Sequence, residues 1–217
     1  LDNEKISDTE LKQIIEKFVI SNNSEGIVIH KDYIKGILFK GYKNYDFKNL
    51  DIVENEFFLG NKNLERNTVS IGRELSSVLN VKIGDKITIM SPSGIQTIIG
   101  KLPKQEAYSI TSIFETGIAD FDQNVAFINI NDLESLFNLK NENRYLEIFL
   151  KNPYEIIKSK KKISNIFKNH IIYSWADLNK SLFSALKVER NVMFIILSLI
   201  VIVAAFNIIS GLTILVK

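Results

Sequence analysis

An α+β domain followed by one membrane-crossing helix is the architecture that the sequence predicts, and three observations predict it. Short β-branched and aromatic runs alternate with runs of helical periodicity along residues 1–190, with no internal repeat. Of the 52 charged residues, 51 lie in that stretch and only Lys217 lies beyond it. Residues 191–216, NVMFIILSLIVIVAAFNIISGLTILV, number 26 and carry no charge. As a helix this segment measures about 39 Å, which crosses a hydrocarbon core of about 30 Å with some tilt. Its length without a charged face argues against a buried core helix. Its C-terminal position excludes a signal peptide. The domain division expected is therefore 1–189 and 190–217. The first residue is Leu1 rather than Met and Lys217 ends the chain within an apolar pattern, so a piece of a longer protein is expected.

The elements follow in order. Ser7 and Asp8 precede TELKQIIEKFVI, where Leu11, Ile14, Ile15 and Phe18 recur at helical spacing, so a capped amphipathic helix is expected. After a polar break at 22–26, residues 26–42 are rich in Ile, Val, Tyr and Phe and read as strands punctuated by Gly36 and Gly41. Residues 44–56 read as a loop. Residues 69–80 read as a short strand entering a helix with Leu75, Val78 and Leu79 on its apolar side. Gly84 and Asp85 turn into a strand at 86–90. Residues 107–115 and 123–130 are strands again, and Asn131 is expected to cap a helix through Leu139. Residues 144–150 alternate Leu146, Ile148 and Leu150 as a strand. Pro153 suits the start of a helix running to about Lys168. A short strand at 171–174 is expected, then a helix at 175–189 running into the apolar span.

Residues 91–106 stand apart. They contain SPSG and LPKQ, and two of the chain's three prolines, Pro92 and Pro103. Proline has no N–H to donate, so neither end is expected to continue as a central strand. Ile95, Ile98, Ile99 and Leu102 between them fit one side of a helical turn and fit an extended hairpin equally well.

Several chemistries are excluded or weakened. A formal charge of +2 gives no concentrated basic face for nucleic acid. There is no cysteine, hence no disulfide or thiolate chemistry. His30 and His170 are far apart, and no H-E-x-x-H occurs, so no metal site is expected. Asp120 and Asp122 in GIADFDQN read as a polar turn between strands rather than a reacting carboxylate pair. No G-x-S-x-G and no phosphate-binding loop occur, so no catalytic residue is assigned. The run Lys158, Lys160, Lys161 and Lys162 reads as the solvated face of a helix whose other face carries Ile156, Ile163, Ile166 and Phe167. Contact with anionic headgroups is the alternative.

The span itself is not uniform. It contains Ser198, Asn207, Ser210 and Thr213, and Ala204, Asn207 and Gly211 share one face. Small residues let helices approach closely, and a buried amide seeks a partner. That favours a packed, working helix over the passive anchor of a single-span sensor or adhesion module. Lys180, Lys187 and Arg190 precede the span and Lys217 follows it. Because long domains translocate largely regardless of charge, this pattern does not fix the side.

Two stretches resemble a known family. One is the junction with Trp175, Asn179, Leu182-Phe183 and Ala185-Leu186, then Met193-Phe194-Ile195-Ile196, then Ala204-Ala205-Phe206-Asn207-Ile208. The other is IGRELSSVLNVKIGDKITIMSP followed by YSITSIFETGIADFDQNVAFINI, with its GDK turn and F-E-T-G segment. Together they cover more than half the chain and resemble the LolC/LolE family of lipoprotein-releasing ABC transporter permeases. The resemblance implies a MacB-like domain of two subdomains at 1–189, facing the periplasm from the bacterial inner membrane, followed by the second of four membrane helices. It implies no cofactor in this chain, with ATP and Mg bound by a separate cytoplasmic ATPase subunit. It also implies a second permease subunit, identical or paralogous, a lipoprotein cargo and a periplasmic carrier. By position, 91–106 matches the family's carrier-docking hook, which makes Pro92, Ile95, Ile98, Ile99, Leu102 and Pro103 the candidate carrier-binding residues. Ala204, Asn207, Ile208 and Gly211 become the candidate face for lipoprotein or for helix packing. Macrolide-efflux and cell-division permeases share this architecture and are the nearest alternatives.

Overall fold

Strand pairing organises the largest part of the chain. The computed structural model describes residues 9–97 and 100–216. Strand β1 (Ile15–His30) turns through Lys31, at φ 54°, into β2 (Tyr33–Tyr42), and the two pair antiparallel from Ser21↔Tyr42 to His30↔Tyr33. β2 runs parallel to a later strand at Val125–Asn129. That strand pairs antiparallel with Thr68–Gly72, which runs parallel to Gly100–Phe114. Gly100–Phe114 pairs antiparallel with Lys86–Thr97, which returns to β1 through Ile27↔Met90 and Ile29↔Thr88. With β3 at Leu59–Gly60, these strands are in chain order β4 (Thr68–Gly72), β5 (Lys86–Thr97), β6 (Gly100–Phe114) and β7 (Val125–Asn129). Six of them close a circuit, β1-β2-β7-β4-β6-β5 and back to β1. β3 adds to β6, and β8 (Tyr145–Leu150) adds to β1. Closure leaves these backbones few unpaired edges.

The helices are α1 (Thr9–Ile14), α2 (Asn44–Lys48), α3 (Asp51–Glu54), α4 (Arg73–Leu79), α5 (Ala119–Asn124), α6 (Ile130–Phe137), α7 (Ile156–Ile166), α8 (Trp175–Leu178) and α9 (Lys180–Val216). One apolar core joins Val28, Phe39, Ile71 and Ile110 of the strands to Leu75 and Leu79 of α4 and Leu133 and Phe137 of α6. A second is aromatic: Phe127 stacks within 4.9 Å of Phe114 and 5.7 Å of Phe47, and Tyr42 lies 5.9 Å from Phe127. Ile15–Phe149 forms one compact unit, and Thr9–Ile14 with 150–216 belongs to another.

The α+β class and the C-terminal apolar helix stand as the sequence predicts. Several elements differ. The first helix stops at Ile14 instead of running on, and Phe18, placed on its apolar face, is exposed. The β-branched residues from Ile15 onward gain backbone partners in the sheet, and that pairing overrides the local helical period. Residues 44–56 hold α2 and α3 rather than a loop, because Phe47 and Val53 are fully buried in the aromatic core. On α4, Leu75 and Leu79 are buried but Val78 is not. The cap of α6 is Asn129, whose side chain accepts from the Asn131 N–H at 3.0 Å, so β7 passes straight into the helix. Residues 119–124 form α5 rather than a turn. No strand forms at 171–174 among the described residues. There Ser174 is engaged instead in a reciprocal capping box with Asp177, and Ile171 and Tyr173 stay exposed.

Candidate functional sites: the β5–β6 arm and the apolar helix

β5 pairs with β1 only as far as Met90, and β6 pairs with β4 only from Ser109. Beyond those points the two strands pair with each other, through Ser91↔Lys104, Ile95↔Leu102, Gln96↔Lys101 and Thr97↔Gly100. A two-stranded arm of about 20 Å results. The register shifts between Ser91 and Ile95, where β5 takes four steps against two on β6. Pro92 and Pro103 both fall at this bulge. The prolines therefore interrupt the ladder as expected, and the strands resume beyond them, which selects the extended hairpin of the two forms that the sequence allowed. Gly94 in the bulge has φ 42°, and a Cβ there would meet the Leu102 carbonyl oxygen at 2.3 Å. Only glycine permits that approach.

The base of the arm is tied down by Lys104. Its ammonium donates to the Ser135 carbonyl of α6 at 3.0 Å and pairs with Glu106 at 3.0 Å. Pro92 and Pro103 are exposed, and Leu102 is 51% exposed. Ile95 is in register with Leu102. Ile98 and Ile99 lie outside the described residues.

Asp122, Glu134 and Glu147 are among the buried or half-buried carboxylates that fix the body below the arm. Asp122 is 2% exposed and accepts from the Thr116 N–H at 3.0 Å and its hydroxyl at 2.6 Å. Gly72 admits this arrangement, since a Cβ there would lie 2.0 Å from the Asp122 carbonyl oxygen. Glu134 accepts from Arg144 at 2.7 and 2.8 Å and from buried Asn22 at 3.2 Å. The guanidinium hydrogen bonds hold its carboxyl below the usual range. Glu147 of β8 accepts from Ser21 at 2.6 Å and Tyr42 at 3.1 Å, and pairs with Lys40 at 3.0 Å. Burial, and then the Glu147 charge, push the Tyr42 hydroxyl far up. Each carboxylate is saturated by donors, so all three lock strands and helices together. The sequence reading missed them as anchors; the one visible signal is Glu147 amid the apolar run of β8. His30 only meets the Lys86 carbonyl at 3.0 Å. Among the described residues no three His, Cys, Asp or Glu side chains are arranged to hold a metal ion.

α9 has 37 residues and is long and apolar enough to cross a membrane. It follows α8 after Asn179, and the Phe183 N–H donates to the Asn179 carbonyl at 3.1 Å. Helical continuity thus begins at Lys180, upstream of the uncharged stretch. Ser198 and Thr213 donate to the carbonyls four residues back, at 2.8 and 2.7 Å, and need no other partner in hydrocarbon. Ala204, Asn207, Ile208 and Gly211 form one exposed stripe. Among the described residues nothing hydrogen-bonds the Asn207 amide, and a Cβ on Gly211 would meet nothing within 4 Å.

No family model matches the chain. Individual relatives do. It is 30% identical over 146 residues to the lipoprotein-releasing system transmembrane protein LolC of Neisseria meningitidis serogroup B, covering 66% of this chain and 35% of that protein. It is 31% identical over 206 residues to LolC of Buchnera aphidicola subsp. Schizaphis graminum, covering 94% of this chain and 49% of that protein. The extracellular domain of the noncanonical ABC-type transporter YknZ from Gram-positive bacteria superposes with a TM-score of 0.49 at 12% identity, over 78% of this chain and 83% of that one. The chain spans between about a third and a half of the length of these LolC relatives. With 31% identity over 94% of its length to a LolC protein, the chain belongs to the LolC/LolE type of ABC transporter permease.

Proposed function

We propose that this chain serves an ATP-driven system that releases lipoproteins from the bacterial inner membrane, and that its β5–β6 arm docks the periplasmic carrier that receives them. The observation that carries the reading is the arm itself. It is a ribbon that leaves the closed sheet, is braced at its base by Lys104, and leaves Leu102 half exposed. An exposed large apolar group such as Leu102 on a projecting ribbon suits a partner surface. In this reading Pro92, Ile95, Ile98, Ile99, Leu102 and Pro103 form the docking surface, and the Ala204–Asn207–Ile208–Gly211 stripe meets cargo or a neighbouring helix. The ATPase is a separate subunit holding ATP and Mg, and a second permease subunit completes the translocator. The names of the sequence relatives support lipoprotein as the cargo.

The test pairs two measurements on the full chain carrying Ile98→Ser and Ile99→Ser. Carrier affinity is expected to fall roughly tenfold or more, since each apolar anchor contributes about 1 kcal/mol or more. The melting temperature is expected to hold. Unchanged affinity at unchanged stability removes the docking role from the arm, and a large drop in melting temperature makes these residues core.

A further inference from the structure

Residues 151–190 carry nine Lys or Arg against three Asp or Glu, a balance of +6. The rest of the chain carries eighteen against twenty-two, or −4. This excess lies in the same compact unit as α9. The structure sorts the lysine run into two roles. Lys160 pairs with Asp177 at 2.6 Å, and that hydrogen bond, with those from Ser174, holds the Asp177 carboxyl well below the usual range. The bridge fastens α7 to α8, which a single residue, Asn179, separates from α9. Lys158, Lys161, Lys162 and Asn165 share the opposite face of α7, away from buried Ser159, Ile163 and Phe167. Among the described residues, Lys161 and Lys162 have no ion pair, and Lys158 has only a 3.8 Å approach to exposed Glu155.

A solvated lysine face alone would need no further explanation. Here it is accompanied by large apolar groups in the open. Tyr154 is 95% exposed and Ile157 83%, and Ile171, Tyr173, Trp175 and Leu178 are all exposed between α7 and α9. Cations interleaved with Tyr and Trp beside the start of a span match the requirements of a membrane–water interface. The rings sit at headgroup level while lysine stems cover apolar surface and present their ammonium groups to phosphate. We propose that the α7 face bearing Lys158, Lys161 and Lys162 binds the headgroups of anionic phospholipids in the bilayer that α9 crosses. The proposal rests on reading α9 as a membrane span. Charge complementarity and the Lys160–Asp177 bridge that ties α7 to the helix preceding α9 select lipid as the occupant.

The chain has no cysteine, so Asn165→Cys gives a single labelling site on this face. The full chain is reconstituted in phosphatidylcholine vesicles containing about one-quarter phosphatidylglycerol. Energy transfer from the label is measured to headgroup-labelled tracers of each lipid at equal mole fraction. Transfer to phosphatidylglycerol is expected to exceed transfer to phosphatidylcholine by about fivefold or more, since each lysine near an anionic surface contributes on the order of 1 kcal/mol. The preference is expected to weaken in about 0.5 M salt, where charges are screened within a few ångströms. It is expected to vanish in the triple variant Lys158→Gln, Lys161→Gln, Lys162→Gln, with helix content and vesicle flotation unchanged. Equal transfer to the two tracers by wild-type chain that floats with vesicles overturns the lipid site alone, as does a preference that survives the triple substitution. Chain that does not float overturns the span reading and the lipid site with it.

Discussion

Gly94 controls the geometry of the arm through a single hydrogen atom. At φ 42° and with the Leu102 carbonyl where a side chain would begin, Gly94→Ala must displace one strand of the bulge. Strain of this kind is on the order of 1–3 kcal/mol. The strain is local, so amide exchange should accelerate at the non-proline positions of 91–97 and 100–104 and stay unchanged in β7 and α6. Glu134 acts in the body of the domain. Its folded pKa is depressed, chiefly by the Arg144 hydrogen bonds. Its stabilisation is therefore complete above the unfolded value of about 4.3 and is lost as pH falls through the folded value. Glu134→Gln should cost about 2 kcal/mol near neutral pH, the usual contribution of hydrogen bonds to a charged group. The gap between wild type and variant should narrow progressively below about pH 4, read from denaturant unfolding at a series of pH values. A gap independent of pH would mean that the Glu134 charge contributes nothing.

At the scale of elements, what was legible in the sequence was what local chemistry decides. Leu75 and Leu79 announce α4 by their spacing, Pro153 marks the 3-10 turn Pro153–Glu155 that opens α7, and Pro92 and Pro103 mark a break in the ladder. Partnerships across long sequence separations were not legible. Ile14 and Ile15 look alike in sequence, yet one ends a helix and the other begins a strand, because the strands that pair with β1 lie elsewhere in the chain. Glu134 and Asn22 are 112 positions apart, and Glu147 and Ser21 are 126 apart. Nothing near a carboxylate in sequence distinguishes a buried anchor from a solvated charge. The candidate site divides in the same way: its place between two prolines was legible, but its form as a hairpin was left open until the pairing was known. The α9 stripe permits a prediction of its own. Among the described residues the Asn207 amide has no partner, whereas Ser198 and Thr213 of the same span bond to their own helix, so it should find one in a neighbouring helix or in cargo. Asn207→Leu should still insert into membranes, while lipoprotein release by the assembled system falls roughly fivefold for a loss of about 1 kcal/mol. Release at the wild-type rate would leave Asn207 without a functional role.

At the scale of the whole molecule, the proposed function divides the labour: this chain supplies a surface and a helix, and another subunit supplies the energy. Asp122, Glu134 and Glu147 are occupied as anchors, the two histidines are far apart in sequence, and the sequence contains no glycine-rich loop ending in Lys-Ser or Lys-Thr. Binding a nucleotide triphosphate takes backbone N–H groups pointed at phosphate and a lysine reaching the terminal groups. Work on a lipid-anchored cargo is substantial, since each buried methylene of an acyl chain contributes about 0.8 kcal/mol to membrane retention. A few hydrogen bonds of about 1 kcal/mol each cannot supply it, so under the proposed function the energy would enter from another subunit and reach the cargo through contacts such as the arm and the α9 stripe. Two outcomes follow. Full chain purified to homogeneity should show no ATP turnover above buffer, and turnover should appear when an ATPase subunit co-purified from the same membranes is added back. Coupling should be visible as well: the Ile98→Ser, Ile99→Ser chain should leave that turnover largely intact while transfer of lipoprotein to its carrier falls. ATP turnover by the chain alone, or transfer that proceeds at the wild-type rate through the altered arm, would require the energy source or the delivery route to be placed elsewhere.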